Sequence, residues 1–279
     1  AAIKRGVDAY RDLARLCNAT PVIINGDPDN YYKISPEQLE KAITPKTHGF
    51  ILNAPSNPSG SIYTKDELKA LADVLAKYPE IAIISDEIYE HLTYDGEHCS
   101  IASFDNVKDQ TIVLNGVSKA YAMTGWRIGY MGAPTEVAKA VRKLQSQTTS
   151  GTCSIAQRAA LEALTGDQSI IAKNNEVLIK RRDLMVKSLK AIPGVKFNVP
   201  PATFYCFPDF SAYIGKSFNG KKLANSFDFC DYLLNEAHVA CVAGGAFGVD
   251  ECIRMSYVVG LDRIEEAFKR INKALANLK

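Results

Sequence analysis

Short apolar runs alternate with amphipathic segments through the first half of the chain. The runs are rich in β-branched residues and bounded by turn residues, which is typical of buried strands. They lie at residues 21–25, 49–53, 81–85, 111–114 and 128–131. The segments between them have the apolar spacing of helices and cover residues 10–17, 36–43, 64–77 and 135–145. Strands that alternate with helices predict a mainly parallel sheet with helices on both faces, which is an α/β fold.

Polar residues predict where several helices begin. Ser35 and Thr64 are followed three residues later by Gln38 and Glu67, so each pair predicts a capping box. Thr135 is expected to cap the next helix. Residues 1–9 show neither a strand pattern nor a cap, so no element is predicted there.

The second half of the chain has a different rhythm. It predicts helices at 157–164, 169–191, 223–237 and 262–276, and strands at 204–207, 239–242 and 252–257. Asp262 and Glu265 predict a capping box for the last helix, whose apolar stripe consists of Ile264, Phe268, Ile271 and Leu275. We therefore expect a three-layer large domain over 1–175 and a smaller α+β domain over 176–279, joined by the long helix at 169–191.

Composition excludes several functional classes. The net charge is +2 over 279 residues with both signs interspersed, so nothing predicts binding to nucleic acid or to a membrane surface. No apolar run reaches the ~20 residues that span a bilayer. The seven cysteines never form a C-x-x-C pair, which argues against disulfides and zinc and favours reduced thiols in the cytoplasm. The four histidines lack metal-binding spacing, so no metal site is predicted.

The stretch around Lys119 carries the clearest chemical signal. The run 111–114 ends at Asn115-Gly116, so a buried strand delivers Ser118 and Lys119 to a loop, where an amine can face a cavity. Arg127 follows between two glycines, and a guanidinium beside a hydroxyl suits a phosphate. An amine, a hydroxyl and an arginine together suit an aldehyde that carries a phosphate. A solvated surface lysine is the alternative.

Ser118-Lys119 and Gly125-x-Arg127-x-Gly129 resemble the lysine segment of the fold-type I aminotransferases that use pyridoxal 5′-phosphate. The resemblance extends from about Tyr10 to the C-terminus and is nearest to the bacterial-type aspartate aminotransferases. It implies that Lys119 is the catalytic residue, which forms a Schiff base with the cofactor and moves a proton. It also implies that Ser118 and Arg127 bind the cofactor phosphate.

Two further residues are expected to bind the cofactor ring. Asp86 follows the run 81–85, at the carboxyl end of a strand, where open α/β sheets bind ligands. The resemblance implies that Asp86 pairs with the ring nitrogen and that Tyr89 donates to the ring oxygen. The alternatives are a helix-capping aspartate and a core tyrosine.

Two residues are expected to bind the substrate. The turn that contains Asn57 resembles the family's N-x-P-x-N-P-[ST]-G turn, which implies that Asn57 binds both the cofactor oxygen and the substrate; ordinary turn chemistry is the alternative. Arg254 is a charge on an apolar strand, where an arginine requires an anion. The resemblance implies that Arg254 binds the substrate α-carboxylate, and an internal salt bridge is the alternative. Ala243 replaces the proline of the family's glycine loop.

The resemblance implies a homodimeric enzyme that exchanges an amino group between an amino acid, aspartate foremost, and a 2-oxo acid such as 2-oxoglutarate. Aromatic, alanine and prephenate specificity stay open. A non-catalytic effector-binding domain is another alternative, although it would need a DNA-binding helical unit that the sequence does not show. An inactive fragment is a third, because the family's phosphate-binding turn and ring-stacking aromatic residue are not found in the sequence. We therefore expect the chain to lack the N-terminal part of the family.

Overall fold

A six-stranded sheet forms the centre of the N-terminal part. The structure, a computed structural model, describes residues 2–3 and 8–279, with side chains from Tyr10 onward. The strand order is β2-β1-β3-β4-β5-β6, and every neighbouring pair is parallel except β5 and β6. The strands are β1 (Ala2–Ile3), β2 (Ile23–Ile24), β3 (Gly49–Asn53), β4 (Ala82–Asp86), β5 (Thr111–Gly116) and β6 (Gly129–Gly132). The predicted parallel sheet is confirmed. The prediction of no element in 1–9 is wrong, because β1 inserts between β2 and β3.

Strand register decides which loops meet. Asn53 pairs with Asp86, and Asp86 pairs with Leu114 on the next strand. Because parallel strands place their carboxyl ends at one edge of the sheet, Asn53, Asp86 and the loop that carries Lys119 emerge side by side.

Eight α-helices are described. They are α1 (Asp8–Leu16), α2 (Pro36–Ala42), α3 (Lys65–Leu75), α4 (Thr135–Thr148), α5 (Ser154–Thr165), α6 (Ser169–Lys190), α7 (Ser226–Tyr232) and α8 (Leu261–Ala276). Single helical turns of the 3₁₀ type lie at Pro28–Asn30, Ile101–Ser103, Lys108–Gln110, Thr124–Trp126 and Gly244–Phe247, and a π turn lies at Leu233–Ala237.

Two of the four predicted caps are confirmed. Ser35 and Thr64 both form complete capping boxes. The other two predictions are wrong, because Pro134 and Gly260 are the extended residues before α4 and α8 and neither helix has a side-chain cap. Thr135 and Asp262 lie inside the first helical turn, where a side chain no longer reaches back to the free N–H groups.

The C-terminal part is built on two small antiparallel sheets. One has the order β10-β11-β7 and the other is a hairpin. Their strands are β7 (Tyr205–Cys206), β8 (Ser217–Phe218), β9 (Lys221–Lys222), β10 (Val242–Ala243) and β11 (Ile253–Ser256). The strand predicted at 239–242 starts later, and the helix predicted at 223–237 is shorter and ends in the π turn. The hairpin was not predicted, although Asn219 and Gly220 at its turn both have positive φ.

Two large apolar clusters form the core. One joins the first sheet to α3 through buried residues such as Phe50, Leu71 and Ile83. The other lies among α6, α7 and α8 and contains the predicted stripe of α8. It also contains Tyr89, which follows β4 in the sequence. The carboxyl edge of the first sheet therefore reaches the C-terminal core. The division into two domains stays a prediction.

No helix in the described part of the chain is long and apolar enough to cross a membrane. All seven cysteines lie in that part and carry free thiols.

Candidate active site

Asp86 is held at the end of β4 by three donors. The Asn53 amide nitrogen lies 3.1 Å from Asp86 Oδ2, the Tyr10 hydroxyl donates to the same oxygen, and the Ile88 N–H lies 3.3 Å from Oδ1. Burial raises the pKa of the Asp86 carboxyl, and the hydrogen bonds from Tyr10, Ile88 and Asn53 act in the opposite direction. No cationic side chain among the described residues lies within salt-bridge distance of Asp86. The carboxylate is oriented and available to a cation.

Lys119 lies in the loop after β5, half-buried. Its Nζ lies 5.8 Å from the ring centroids of both Tyr89 and Phe204. Burial lowers the pKa of its ammonium group; the positive charges of Arg254 and Arg127 lower it further, and Asp86 opposes them. Within the described residues it forms no salt bridge. A lowered pKa increases the fraction of neutral amine, which is the nucleophilic and proton-accepting form.

Tyr89 lies in an aromatic group with Phe204 and Tyr205. Tyr89 is 3% exposed, and its ring packs edge-on against both neighbours, at 5.6 Å from Phe204 and 6.1 Å from Tyr205. Its hydroxyl donates to the Tyr205 hydroxyl at 3.4 Å. Burial raises the pKa of the Tyr89 phenol, so the group stays protonated and able to donate.

Arg254 lies on β11, half-buried between aromatic rings and an amide. Its Nη1 donates to Asn57 Oδ1 at 2.9 Å, and its guanidinium carbon lies 4.4 Å from the Tyr205 ring centroid and 5.1 Å from that of Phe247. No carboxylate of the described chain lies within salt-bridge distance. The alternative of an internal salt bridge is therefore wrong within these residues, and the rest of the guanidinium can bind an anion.

Asn53 links the two halves of this site. Its amide nitrogen bonds Asp86, and its oxygen accepts the backbone N–H of Asn57 at 2.9 Å. Asn57 in turn accepts from Arg254. One chain of hydrogen bonds thus connects Asp86 to Arg254.

The predicted phosphate-binding residues lie apart from this chain of bonds. Arg127 is exposed, has a left-handed backbone with φ of 53°, and donates to the Thr124 carbonyl at 2.9 Å. Ser118 is half-buried, and no hydrogen bond joins its hydroxyl to Arg127 among the described residues. An open groove of about 800 Å³ adjoins Arg127 and is also lined by Trp126 and Gln145. The binding of phosphate by Ser118 and Arg127 therefore stays a prediction.

A second polar cluster lies beside the site. Glu87, Glu90 and His98 have ligand atoms within 4.8 Å of one another, a spacing that could hold a metal ion. The buried Glu87, however, already accepts from Ser85 at 2.8 Å, Ser100 at 2.6 Å and His98 at 2.9 Å. These bonds satisfy the carboxylate and tie the loop after β4 to the segment that carries His98.

Sequence reasoning missed Tyr10, Asn53 and Tyr205 as residues of the site. Asn53 could have been predicted, because it ends the predicted strand that pairs with the strand ending at Asp86. Tyr10 and Tyr205 gave no local signal, since their contacts with Asp86 and Arg254 depend on the fold.

Comparison with known proteins identifies the family of the chain. The family model for aminotransferase class I and II matches residues 8–271. The chain belongs to the class I and II aminotransferases. An aspartate/prephenate aminotransferase from Cereibacter sphaeroides is 45% identical to this aminotransferase over 273 residues, which are 97% of this chain and 68% of the relative.

Solved structures of the family superpose closely. The aspartate aminotransferase of Rhizobium meliloti has a TM-score of 0.95 at 41% identity, over 100% of this chain and 70% of that protein. An aromatic aminotransferase from Pyrococcus horikoshii has a TM-score of 0.90 at 32% identity, over 99% and 72%. This aminotransferase thus spans about two thirds of the length of these relatives. Family membership makes it a pyridoxal-phosphate-dependent enzyme that transfers amino groups between amino acids and 2-oxo acids.

Proposed function

We propose that this aminotransferase acts on aspartate and a 2-oxo acid such as 2-oxoglutarate, with Lys119 as its catalytic residue. The observation that carries the proposal is the Lys119 amine, which is half-buried, has a lowered pKa and forms no salt bridge in the described chain. A structural lysine would be expected at the surface or in an ion pair. The lowered pKa favours the neutral form of the amine, which suits attack on a carbonyl and transfer of a proton.

The polar groups of the site fit pyridoxal phosphate. Asp86 offers an oriented carboxylate for a protonated ring nitrogen, and Tyr89 and Asn57 offer donors for the ring oxygen. Ser118 and Arg127 would hold the phosphate. When bound, the cofactor supplies an aldehyde and an electron-withdrawing ring.

The chain's own residues then position the substrate and move its proton. Arg254 binds the α-carboxylate through the guanidinium edge that Asn57 leaves free, which orients the substrate α-carbon. The Nζ of Lys119, in its neutral form, accepts the α-proton and later releases it. The positive charge of Arg254 lowers the pKa of Lys119, so Arg254 without a bound carboxylate favours the neutral form of the Lys119 amine.

The test compares Lys119→Ala with Lys216→Ala. Lys216 also carries its amine over an aromatic ring, 4.9 Å from the Tyr213 centroid, but belongs to the C-terminal part. We expect Lys119→Ala to lose the visible absorbance of lysine-bound cofactor and at least about 10³-fold in kcat, because no other amine replaces the proton carrier. Lys216→Ala should keep both. Full turnover in Lys119→Ala would remove Lys119 from the mechanism.

Prephenate is the second candidate substrate. It is favoured by the Cereibacter relative, whose name includes both substrates. Steady-state assays with glutamate as amino donor and prephenate, oxaloacetate or an aromatic 2-oxo acid as acceptor rank the alternatives by kcat/KM. The aspartate proposal fails if oxaloacetate is among the poorest acceptors. Alanine with 2-oxoglutarate completes the panel.

We also propose a homodimer in the cytoplasm. Exposed apolar side chains on α4 and α5 support association with a second copy: Val141, Leu144, Ile155 and Leu161 are all more than 40% exposed. The free cysteines suit a reducing compartment. Light scattering coupled to size-exclusion chromatography tests the dimer, and a monomeric mass at micromolar concentration contradicts it.

A further inference from the structure

Tyr205 lies between the two halves of the proposed site. It is only 8% exposed and lies on β7, where it pairs with Ser256 of the antiparallel strand β11. Arg254 is two residues from Ser256 on the same strand. The side chains of Tyr205 and Arg254 therefore point to the same face of the sheet and are diagonal neighbours.

The ring of Tyr205 supports the guanidinium of Arg254. The guanidinium carbon lies 4.4 Å from the ring centroid, nearer than to Phe247 at 5.1 Å. Only one nitrogen, Nη1, is fixed by a hydrogen bond, to Asn57. The aromatic faces therefore restrict the plane of the guanidinium while leaving its other donors free.

The hydroxyl of Tyr205 contacts a different group. It lies 3.4 Å from the hydroxyl of Tyr89. A phenol both donates and accepts, so Tyr205 can donate to the Tyr89 oxygen when the proton of Tyr89 is given to another acceptor. Donation into Tyr89 strengthens Tyr89 as a donor, because successive hydrogen bonds polarise one another.

We propose that Tyr205 is a positioning residue that joins the carboxylate-binding arginine to the tyrosine that hydrogen-bonds the cofactor oxygen. Its ring sets the plane of Arg254, and its hydroxyl supports Tyr89. The proposal rests on the proposed roles of Arg254 and Tyr89. It assigns separate functions to the two parts of one side chain, so two substitutions separate them.

Tyr205→Phe removes the hydroxyl and keeps the ring. When the cofactor is bound, a donor to its ring oxygen would stabilise negative charge there and so would lower the pH at which the cofactor loses a proton. Weaker donation should therefore move the pH midpoint of the holoenzyme's visible absorbance upward by roughly 0.3 to 0.7 unit. Affinity for the dicarboxylate maleate, followed by the change in the same spectrum, should change less than twofold.

Tyr205→Leu removes the ring as well. The arginine then loses one aromatic face, and maleate should bind about three- to tenfold more weakly. Tyr213→Phe and Tyr213→Leu are matched controls. Tyr213 is also buried at 8% exposure, donates to the Pro193 carbonyl and has the Lys216 amine over its ring, yet it lies outside the site. Neither Tyr213 variant should change the titration or the maleate affinity.

Background variants separate the two proposals. Tyr89→Phe should shift the pH midpoint of the visible absorbance, and Arg254→Lys should weaken maleate binding. Tyr205→Phe should cause no further shift of the midpoint when it is added to Tyr89→Phe. If Tyr89→Phe and Arg254→Lys leave both readouts unchanged, the proposed function fails. If those variants act but Tyr205→Phe shifts nothing, or shifts the midpoint equally in the Tyr89→Phe background, the role of Tyr205 is wrong. A shift with Tyr205→Phe equal to that of Tyr213→Phe overturns it too.

Discussion

Replacing Asn53 with alanine tests the hydrogen-bond chain that crosses the site. The side chain makes a 3.1 Å bond to Asp86 Oδ2 and a 2.9 Å bond from the Asn57 N–H. The Asp86 carbonyl, which Asn53 also contacts, keeps its bond from the Ala54 N–H. The variant therefore leaves a buried N–H without its acceptor and a carboxylate with one donor fewer.

The two losses set the magnitude. A buried donor left without a partner costs about 1–3 kcal/mol, and a hydrogen bond to a charged group contributes about 1.5–3 kcal/mol. Because Asp86 is only partly buried and water can replace part of its bond, we expect a total loss of about 2–4 kcal/mol. With a urea m-value of about 2.5 kcal/mol/M, the unfolding midpoint should fall by roughly 0.8–1.6 M.

Asn175→Ala is the matched control. Asn175 makes a single bond, from its amide nitrogen to the His91 carbonyl at 2.9 Å, in a half-buried position on α6. Its loss should cost at most about 1 kcal/mol, or roughly 0.4 M in midpoint, because the buried Asn175 Oδ1 accepts no hydrogen bond within the described residues and its removal offsets part of the lost bond. Urea unfolding of both variants, followed by circular dichroism, measures the difference. Equal shifts in the two variants would refute the idea that Asn53 connects Asp86 to Asn57.

The remaining predictions concern charged residues of the site. Arg254→Lys should weaken maleate binding by about 30- to 100-fold, since a point charge cannot form the bidentate contact. Arg263→Lys, which replaces an exposed arginine on α8, is the control. Equal maleate affinities of the two variants in spectral titrations would contradict the role of Arg254 in carboxylate binding. Arg127→Lys should raise the dissociation constant for pyridoxal phosphate about tenfold, measured by equilibrium dialysis, and unchanged retention removes Arg127 from the phosphate site. Lys119→Met should unfold at higher urea than the parent at pH 7, because folding lowers the pKa of Lys119 and thus disfavours its charged form. The difference should narrow as the pH rises towards 10.5 and the lysine loses its proton, and a constant difference contradicts the lowered pKa.

Local sequence determined the elements and most of the candidate residues. The capping boxes at Ser35 and Thr64 were predictable because both partners lie within one helical turn. Asp86 and Lys119 were predictable as candidates because a polar residue at the end of a buried parallel strand, or in the loop that follows it, emerges at the carboxyl edge of the sheet. The apolar stripe of α8 was read from its period alone.

Only the tertiary structure decided how those residues act together. Tyr10 reaches Asp86 across 76 residues, and Arg254 reaches Asn57 across 197, so no local pattern contains these contacts. Sheet register sets which strand ends are neighbours, and it placed Asn53 against Asp86. The packing of the apolar cluster among α6, α7 and α8 against the first sheet determined the contact between the two parts of the site, since it brought Tyr205 of the C-terminal part to Tyr89. A sequence period specifies which face of an element is buried, whereas the partner on the other side depends on how the whole chain packs.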